Sequence, residues 1–260
     1  MRQPVLFLSH GAPTFLTEPN ATTKFWQQLP DRLPAIPRAI LCISAHWDAP
    51  QFSISGTLGN AGIQHDFYGF PPALYDMHWA PSEDAVTAQW LVQRLRTLQL
   101  KVVESDYSFD HGVWIPLHFM WPQPTVPVYQ LSLSLTQGLD SHWALGQALS
   151  SLRDEGVLII GSGGITHNLQ RLDWDAPAEK SVPWARGFVD DVERAMSERD
   201  RKALCQPWQF EHGKACHPTL EHYAPLLVAM GAAGDEPMAL LHQAWVYGSF
   251  SLNAYGTRQS

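Results

Sequence analysis

Pro4–Ser9 (PVLFLS), Ala39–Ala45 (AILCISA) and Gly156–Ile160 (GVLII) are too uniformly apolar for strands with one wet face. Runs of this length and composition read as strands buried on both faces, the pattern of a parallel sheet covered by helices. Pro127–Leu135 (PVYQLSLSL) alternates like a further strand, Gln51–Gly56 reads as an edge strand, and Gln243–Leu252 as a final one. Between them, Asp84–Leu98 places Val86, Trp90, Leu91, Leu95 and Leu98 on an amphipathic helix. Ser141–Arg153 is also helical in pattern. Ser181 is expected to cap a helix with Pro183 near its first turn and an apolar face of Trp184, Phe188, Val192 and Met196. Leu58–Ala80 and Gln170–Val182 read as loops. Strands alternating with helices predict an α/β fold, a mostly parallel central sheet flanked by helices. No linker divides the chain, so residues 1–260 are expected to form one domain.

Composition narrows the function. Lys and Arg total 17 against 25 Asp and Glu, a net charge of −8, which argues against a nucleic-acid-binding face. No run approaches the roughly 18–20 apolar residues of a membrane span. Val5–Leu8 is too short for the apolar segment of a signal peptide. Cys42, Cys205 and Cys216 are too widely spaced for a disulfide framework or a Cys-rich zinc site, so a cytoplasmic protein is expected. Charged residues are only 16% of the chain, whereas histidines number 12. Histidine is the commonest metal ligand.

Position matters more than number. His10 and His46 each follow a predicted buried strand, and His167 follows Gly156–Ile160 across an expected Gly161–Gly164 turn. Ligands of open α/β sheets bind outside the carboxyl ends of the strands, so three residues far apart in sequence can meet there. One histidine after a strand is ordinarily a turn or core residue; three at separate strand ends are harder to explain that way. His222 lies just before a helix expected near Pro225, where the helix dipole keeps an imidazole neutral and fit to bind metal. His111 opens the segment Gly112–Met120, and with His118 it fits the face of a helix equally well. His65, His78, His142, His212, His217 and His242 have no context beyond surface or core.

Familiar motifs are missing. Gly161-Ser-Gly-Gly-Ile-Thr166 lacks the last glycine of a dinucleotide fingerprint, and neither G-x-S-x-G nor H-E-x-x-H occurs. His46-Trp47-Asp48 matches half of a 2-His-1-carboxylate triad, and His65-Asp66 the doublet of metal-dependent phosphohydrolases. Pairs this short arise by chance.

A longer series is specific. Ser9-His10-Gly11-Ala12-Pro13, Ser44-Ala45-His46-Trp47 and His65-Asp66-Phe67-Tyr68-Gly69-Phe70-Pro71 come first. Phe109-Asp110-His111-Gly112, Thr166-His167-Asn168-Leu169 and Pro218-Thr219-Leu220-Glu221-His222-Tyr223 follow in order. Taken together they resemble the class III extradiol ring-cleavage dioxygenases, in the branch of DOPA 4,5-dioxygenase-like proteins. The catalytic subunit of protocatechuate 4,5-dioxygenase is a more distant relative. The resemblance implies His10, His46 and His222 as metal ligands. It makes His167 an acid–base residue that can also reach the metal, and His111 a catalytic residue beside the substrate. In the protocatechuate branch the third ligand is a Glu, which leaves Glu221 as the alternative to His222. Ala12 stands where many relatives have Ser.

The resemblance further implies Fe(II) for ring cleavage, an aromatic diol and O₂ as substrates, and a monomer or homodimer. A nitrogen-rich site also favours zinc over ferrous iron, so Zn(II) is expected in the isolated protein. A zinc-dependent hydrolase and a noncatalytic zinc-binding protein are the competing readings. Trp47, Phe67, Tyr68, Phe70 and Tyr223 are expected to wall a pocket for a flat ring.

Overall fold

The computed structural model describes residues 1–258; residues 259–260 of the expected domain lie outside the described residues. Its strands are β1 (Val5–Ser9), β2 (Ala39–Asp48), β3 (Ser53–Ser55), β4 (Val103–Glu104), β5 (Val128–Leu133), β6 (Val157–Gly163), β7 (Met238–His242), β8 (Trp245–Val246), β9 (Phe250–Ser251) and β10 (Ala254–Thr257). Its longer helices are α1 (Ala21–Gln28), α2 (Ala85–Thr97), α3 (His111–Met120), α4 (Leu139–Leu149) and α5 (Pro183–Glu198). Two single turns, α6 (Arg201–Leu204) and α7 (Gly213–Cys216), precede α8 (Ala224–Ala233).

Eight strands form one sheet in the order β4-β3-β5-β2-β6-β1-β10-β7. The central four, β5, β2, β6 and β1, are parallel, and β10 and β7 add an antiparallel edge. Both ends of the chain therefore share one sheet. The uniformly apolar runs are explained by what lies above and below them. Val5, Phe7, Leu41, Ile43, Val157 and Ile159 pack on one face with α2, α4, α5 and α8. Leu6, Leu8, Ile40, Cys42, Leu158 and Ile160 pack on the other with α1 and α3. Side chains alternate between the faces with the period of a strand, and both destinations are dry.

Several expectations are corrected. The glycines after Ile160 are not a turn: β6 runs on through Gly161 and Gly163. Their missing side chains admit the start of α8, since a Cβ at Gly161 would press into the Pro225 carbonyl and one at Gly163 into that of His222. Gln51–Gly56 supplies β3, which lies inside the sheet between β4 and β5 rather than at its edge. Gln243–Leu252 is not one strand but the small β8–β9 pair, with β7 and β10 on either side. Val182, not Ser181, is the N-terminal cap of α5 and it makes no side-chain bond; Ser181 accepts from Arg186 instead. On α2, Asp84 caps the helix, but Val86 points to solvent and Thr87, Ala88, Leu91 and Leu95 are the buried face.

Gly161→Ala is expected to cost about 1–3 kcal/mol despite removing a flexible glycine from a strand, because the added methyl meets backbone. Gly187→Ala in α5 meets open space and is expected to gain up to about 1 kcal/mol. Urea midpoints of the two variants test this pair of opposite signs.

Candidate functional site

The carboxyl ends of β1, β2 and β6 meet the starts of α3 and α8, and the predicted histidines gather there. His10 directly follows β1. His46 lies within β2 rather than after it, in a stretch where the β2–β5 register shifts between Ile43 and Asp48. Alternation from Cys42 and Ser44 keeps its side chain on the face of the sheet that α3 covers. The end of β6 ties two ligand-bearing segments together: His10 N donates to Gly163 O (3.1 Å), and Gly164 N donates to His222 O (2.9 Å).

Each of the three imidazoles turns its Nδ1 outward, and two of those nitrogens are within hydrogen-bond reach of an acceptor. The Ser162 hydroxyl spends its proton on Gly112 O (2.5 Å), so His10 Nδ1 must be the donor in its 3.0 Å bond to Ser162 Oγ. His222 Nδ1 faces Glu221 Oε1 at 3.3 Å, and His46 Nδ1 faces Asp66 Oδ2 at 3.8 Å. With a proton on each Nδ1, every Nε2 carries a lone pair. His10 Nε2 and His46 Nε2 stand 3.0 Å apart, and His222 Nε2 is buried with no hydrogen-bond partner. One donor atom from each of His10, His46 and His222 lies within 4.8 Å of the others. Three buried lone pairs turned toward one another repel unless a cation joins them, so this donor set fits a metal ion. Burial, then repulsion from neighbouring imidazoles, holds all three well below the usual histidine range.

The fourth predicted ligand is placed differently. His167 stacks flat on His222, centroids 3.3 Å apart, and its donor groups with His222 and Glu221 rather than with His10 and His46. Its backbone N is held by Cys216 O at 2.9 Å. Burial, reinforced by repulsion from His217 and His111, pulls His167 down to about 3. It is a neutral proton acceptor in the free protein. Glu221, the alternative ligand, is half-turned to solvent and accepts from Thr219 as well as His222.

His111 is the first residue of α3. Asp66 grips it twice, accepting from its backbone N at 2.8 Å and from Nδ1 at 2.9 Å. That bond leaves His111 Nε2 free to face a ligand. Burial pushes the Asp66 carboxyl up, but the bonds from His111 outweigh it and the net shift is downward. Sequence reasoning noticed Asp66 only as half of a phosphohydrolase doublet. Its partner is 45 residues away, and the pairing depends on the loop before it docking on α3 through the Ile63–Phe109 bridge and the bond from Trp114 Nε1 to Gln64 O. Asp48, by contrast, turns outward to accept from Leu135 N.

A cavity of about 380 Å³ opens from these histidines, with His46, His111 and His167 on its floor. That volume suits a small organic ligand. Phe67, Tyr68 and Phe70 line it as expected, but Trp47 and Tyr223 do not. Trp47 stacks on Tyr107, centroids 4.4 Å apart, and Tyr223 is sunk in the core under α8. Phe15, Trp174, Tyr247 and Phe250 complete the wall in their place. Among the other histidines, His142 accepts from Ser134 N, and His217 donates to Ile165 O at 2.7 Å; both are buried structural residues.

These buried imidazoles make acid sensitivity a property of the fold. His217 is pulled down to about 4 by burial, whereas the unfolded chain titrates near the ordinary value of about 6.5. The unfolded state thus binds more protons between those values, and stability present above pH 6.5 is lost as pH falls toward 4. His217 alone accounts for about 2 kcal/mol at pH 5. Asp110, raised to about 6 chiefly by burial, works the other way, but one carboxyl opposes six imidazoles that burial holds down, those of His10, His46, His142, His167, His217 and His222. The melting temperature of EDTA-treated protein is expected to fall by several degrees between pH 7.5 and pH 5; a rise would contradict this account.

The family model described as the catalytic LigB subunit of aromatic ring-opening dioxygenase matches residues 4–256. A 4,5-DOPA dioxygenase extradiol of Escherichia coli K12 is 35% identical over 255 residues, covering 96% of this chain and 93% of the relative. A protein of the same description from Beta vulgaris is 36% identical over 256 residues, covering 96% and 94%. The crystal structure of an uncharacterized protein from Escherichia coli K12 superposes with a TM-score of 0.82 at 32% identity, covering 99% of this chain and 100% of the other. The α/β sandwich and its mostly parallel sheet are common to both.

Proposed function

Because this chain belongs to the family of the catalytic LigB subunit of aromatic ring-opening dioxygenases, we propose that His10, His46 and His222 hold the metal at which it opens an aromatic ring. The protein is an extradiol dioxygenase: its substrates are a catechol and O₂, and both oxygen atoms enter the opened product. The observation that carries the ligand assignment is the common orientation of three imidazoles, Nδ1 outward and Nε2 inward.

Bound ferrous iron supplies the redox coupling between the diol and O₂ that no side chain can. The remaining work falls to this chain's own residues. His167 is the base for a catechol hydroxyl. Neutral when the cavity is empty, it gains proton affinity once a diol oxygen develops negative charge beside it. The proton it takes would stay on the imidazole, held beside the substrate and available for return to it. His111, its Nδ1 fixed by Asp66, presents Nε2 to the diol and orients it. The aromatic wall excludes water from the reacting ring. His167 acts on protons and does not serve as a permanent fourth ligand, which would close the open position that the substrates need.

Iron is the catalytic metal in this reading, and zinc the ion retained by the isolated protein, since zinc binds nitrogen donors more tightly than ferrous iron does. A cytoplasmic protein is in keeping with Cys42, Cys205 and Cys216, all free thiols. No helix among the described residues is long and apolar enough to cross a membrane.

Oxygen uptake on adding a catechol to anaerobically Fe(II)-loaded protein tests the reading directly. Uptake equal to ring-opened product is expected with iron and none with zinc; turnover with zinc alone, independent of O₂, would mark a hydrolase. His167→Ala is expected to bind metal as the wild type does and to lose about 10²–10⁴ in kcat. Full activity in that variant would remove His167 from the mechanism.

A further inference from the structure

The active-site cavity has a composition that bears on which catechol it takes. Among the residues that line it there is no Asp, Glu, Lys or Arg; its only titratable groups are histidines and tyrosines. Asp173 and Asp175, which flank Trp174 in sequence, are not among the lining residues, and the other charged side chains nearby are engaged elsewhere. Asp66 is held by His111, and Glu221 by Thr219 and His222. The Arg171 guanidinium, next to lining residue Leu172, lies over the Trp184 ring, 5.3 Å from its centroid. The mouth, beyond the histidine floor, is apolar and left open to water: Tyr68 is 91% exposed, Trp174 66% and Leu169 60%. Large exposed apolar side chains gathered round one opening are apolar surface waiting for a ligand to cover it.

We infer that this chain selects catechols bearing an uncharged, apolar substituent, which packs against Trp174, Tyr68 and Leu169 while the diol sits on the histidine floor. The inference rests on the dioxygenase reading above and specifies its substrate class. A substituent carrying both an ammonium and a carboxylate, as in DOPA, finds no counter-ion on this wall. At a mouth this open those charges keep most of their water, but Trp174, Leu172 and Val246 offer no hydrogen bond or ion pair in return for what they give up. An alkyl chain or second ring loses nothing there and gains contact with three apolar side chains.

The test compares 4-ethylcatechol with L-DOPA in two ways. Anaerobic calorimetric titration of the zinc-loaded protein reads affinity without turnover, and oxygen uptake by the iron-loaded protein reads kcat and KM. 4-Ethylcatechol is expected to bind at least about tenfold more tightly, with a matching difference in kcat/KM carried by KM. Leu172→Arg, which puts a cation in the wall, is expected to narrow the gap at least about fivefold by improving L-DOPA. Equal or tighter binding of L-DOPA by the wild type overturns the inference and leaves the dioxygenase reading standing. A gap unmoved by Leu172→Arg, with that variant's melting temperature unchanged, also overturns it, because missing charge would not be its cause. If neither catechol binds and neither drives oxygen uptake, the dioxygenase reading falls and this inference with it.

Discussion

The close approach of β6 to the turn that opens α8 decides where everything else in the site can be. Gly161 and Gly163 bring backbone against backbone: the Pro225 and His222 carbonyls occupy the space where their side chains would stand. Once in place, the strand end bonds to His10 through Gly163 O and to His222 through Gly164 N. Residues more than two hundred positions apart are thereby fixed relative to one another by two peptide hydrogen bonds. Ser162 lies between those glycines, and its hydroxyl sets which nitrogen of His10 is protonated. A strand that packs the core thus also orients the ligands, so damage to the one cannot be separated from damage to the other.

The second constraint is electrostatic. Five imidazoles from His10, His46, His111, His167 and His222 share one dry space, and any proton added to one repels the rest. The arrangement is tolerable because most stay neutral and because groups outside the cluster accept from Nδ1 of His10, His111 and His222. Two carboxylates come close: Glu221, 3.3 Å from His222, and Asp66, 2.9 Å from His111 and 3.8 Å from His46. Asp66 therefore lies between the group that faces the substrate and a group that faces the metal. Neither role is visible without the fold.

The sequence was most legible where chemistry and periodicity agreed. β1 and the first part of β2 follow from their apolar runs, and β5 from alternation. The order of six short motifs pointed to His10, His46, His111, His167 and His222, all of which meet at one end of the sheet. Legibility failed where a residue served packing that sequence cannot display. Glycine ordinarily signals a turn, but Gly161 and Gly163 lie in a strand because a neighbouring helix needs the space. Trp47 and Tyr223 flank ligand histidines in sequence, yet alternation along β2 and the turn before α8 send both away from the cavity. Trp174 and Tyr247 come from segments with no ligand in them. They reach the cavity only because their loops fold over it, rings 4.6 Å apart.

The helices add a direction to the site. His111 is the first residue of α3, and His222 lies two residues before α8 begins, so two helix N-termini open toward the same small space. Their partial positive charges disfavour a protonated imidazole and favour an anionic oxygen. The same field that helps keep the histidines neutral thus lowers the cost of removing a proton from a diol held against them. Proton acceptor and stabilised oxyanion are consequences of one geometry, and they reinforce each other. The apolar wall strengthens both by thinning the water that would screen them. A chain with few charges is suited to this arrangement, since the charge that matters is the one its substrate develops.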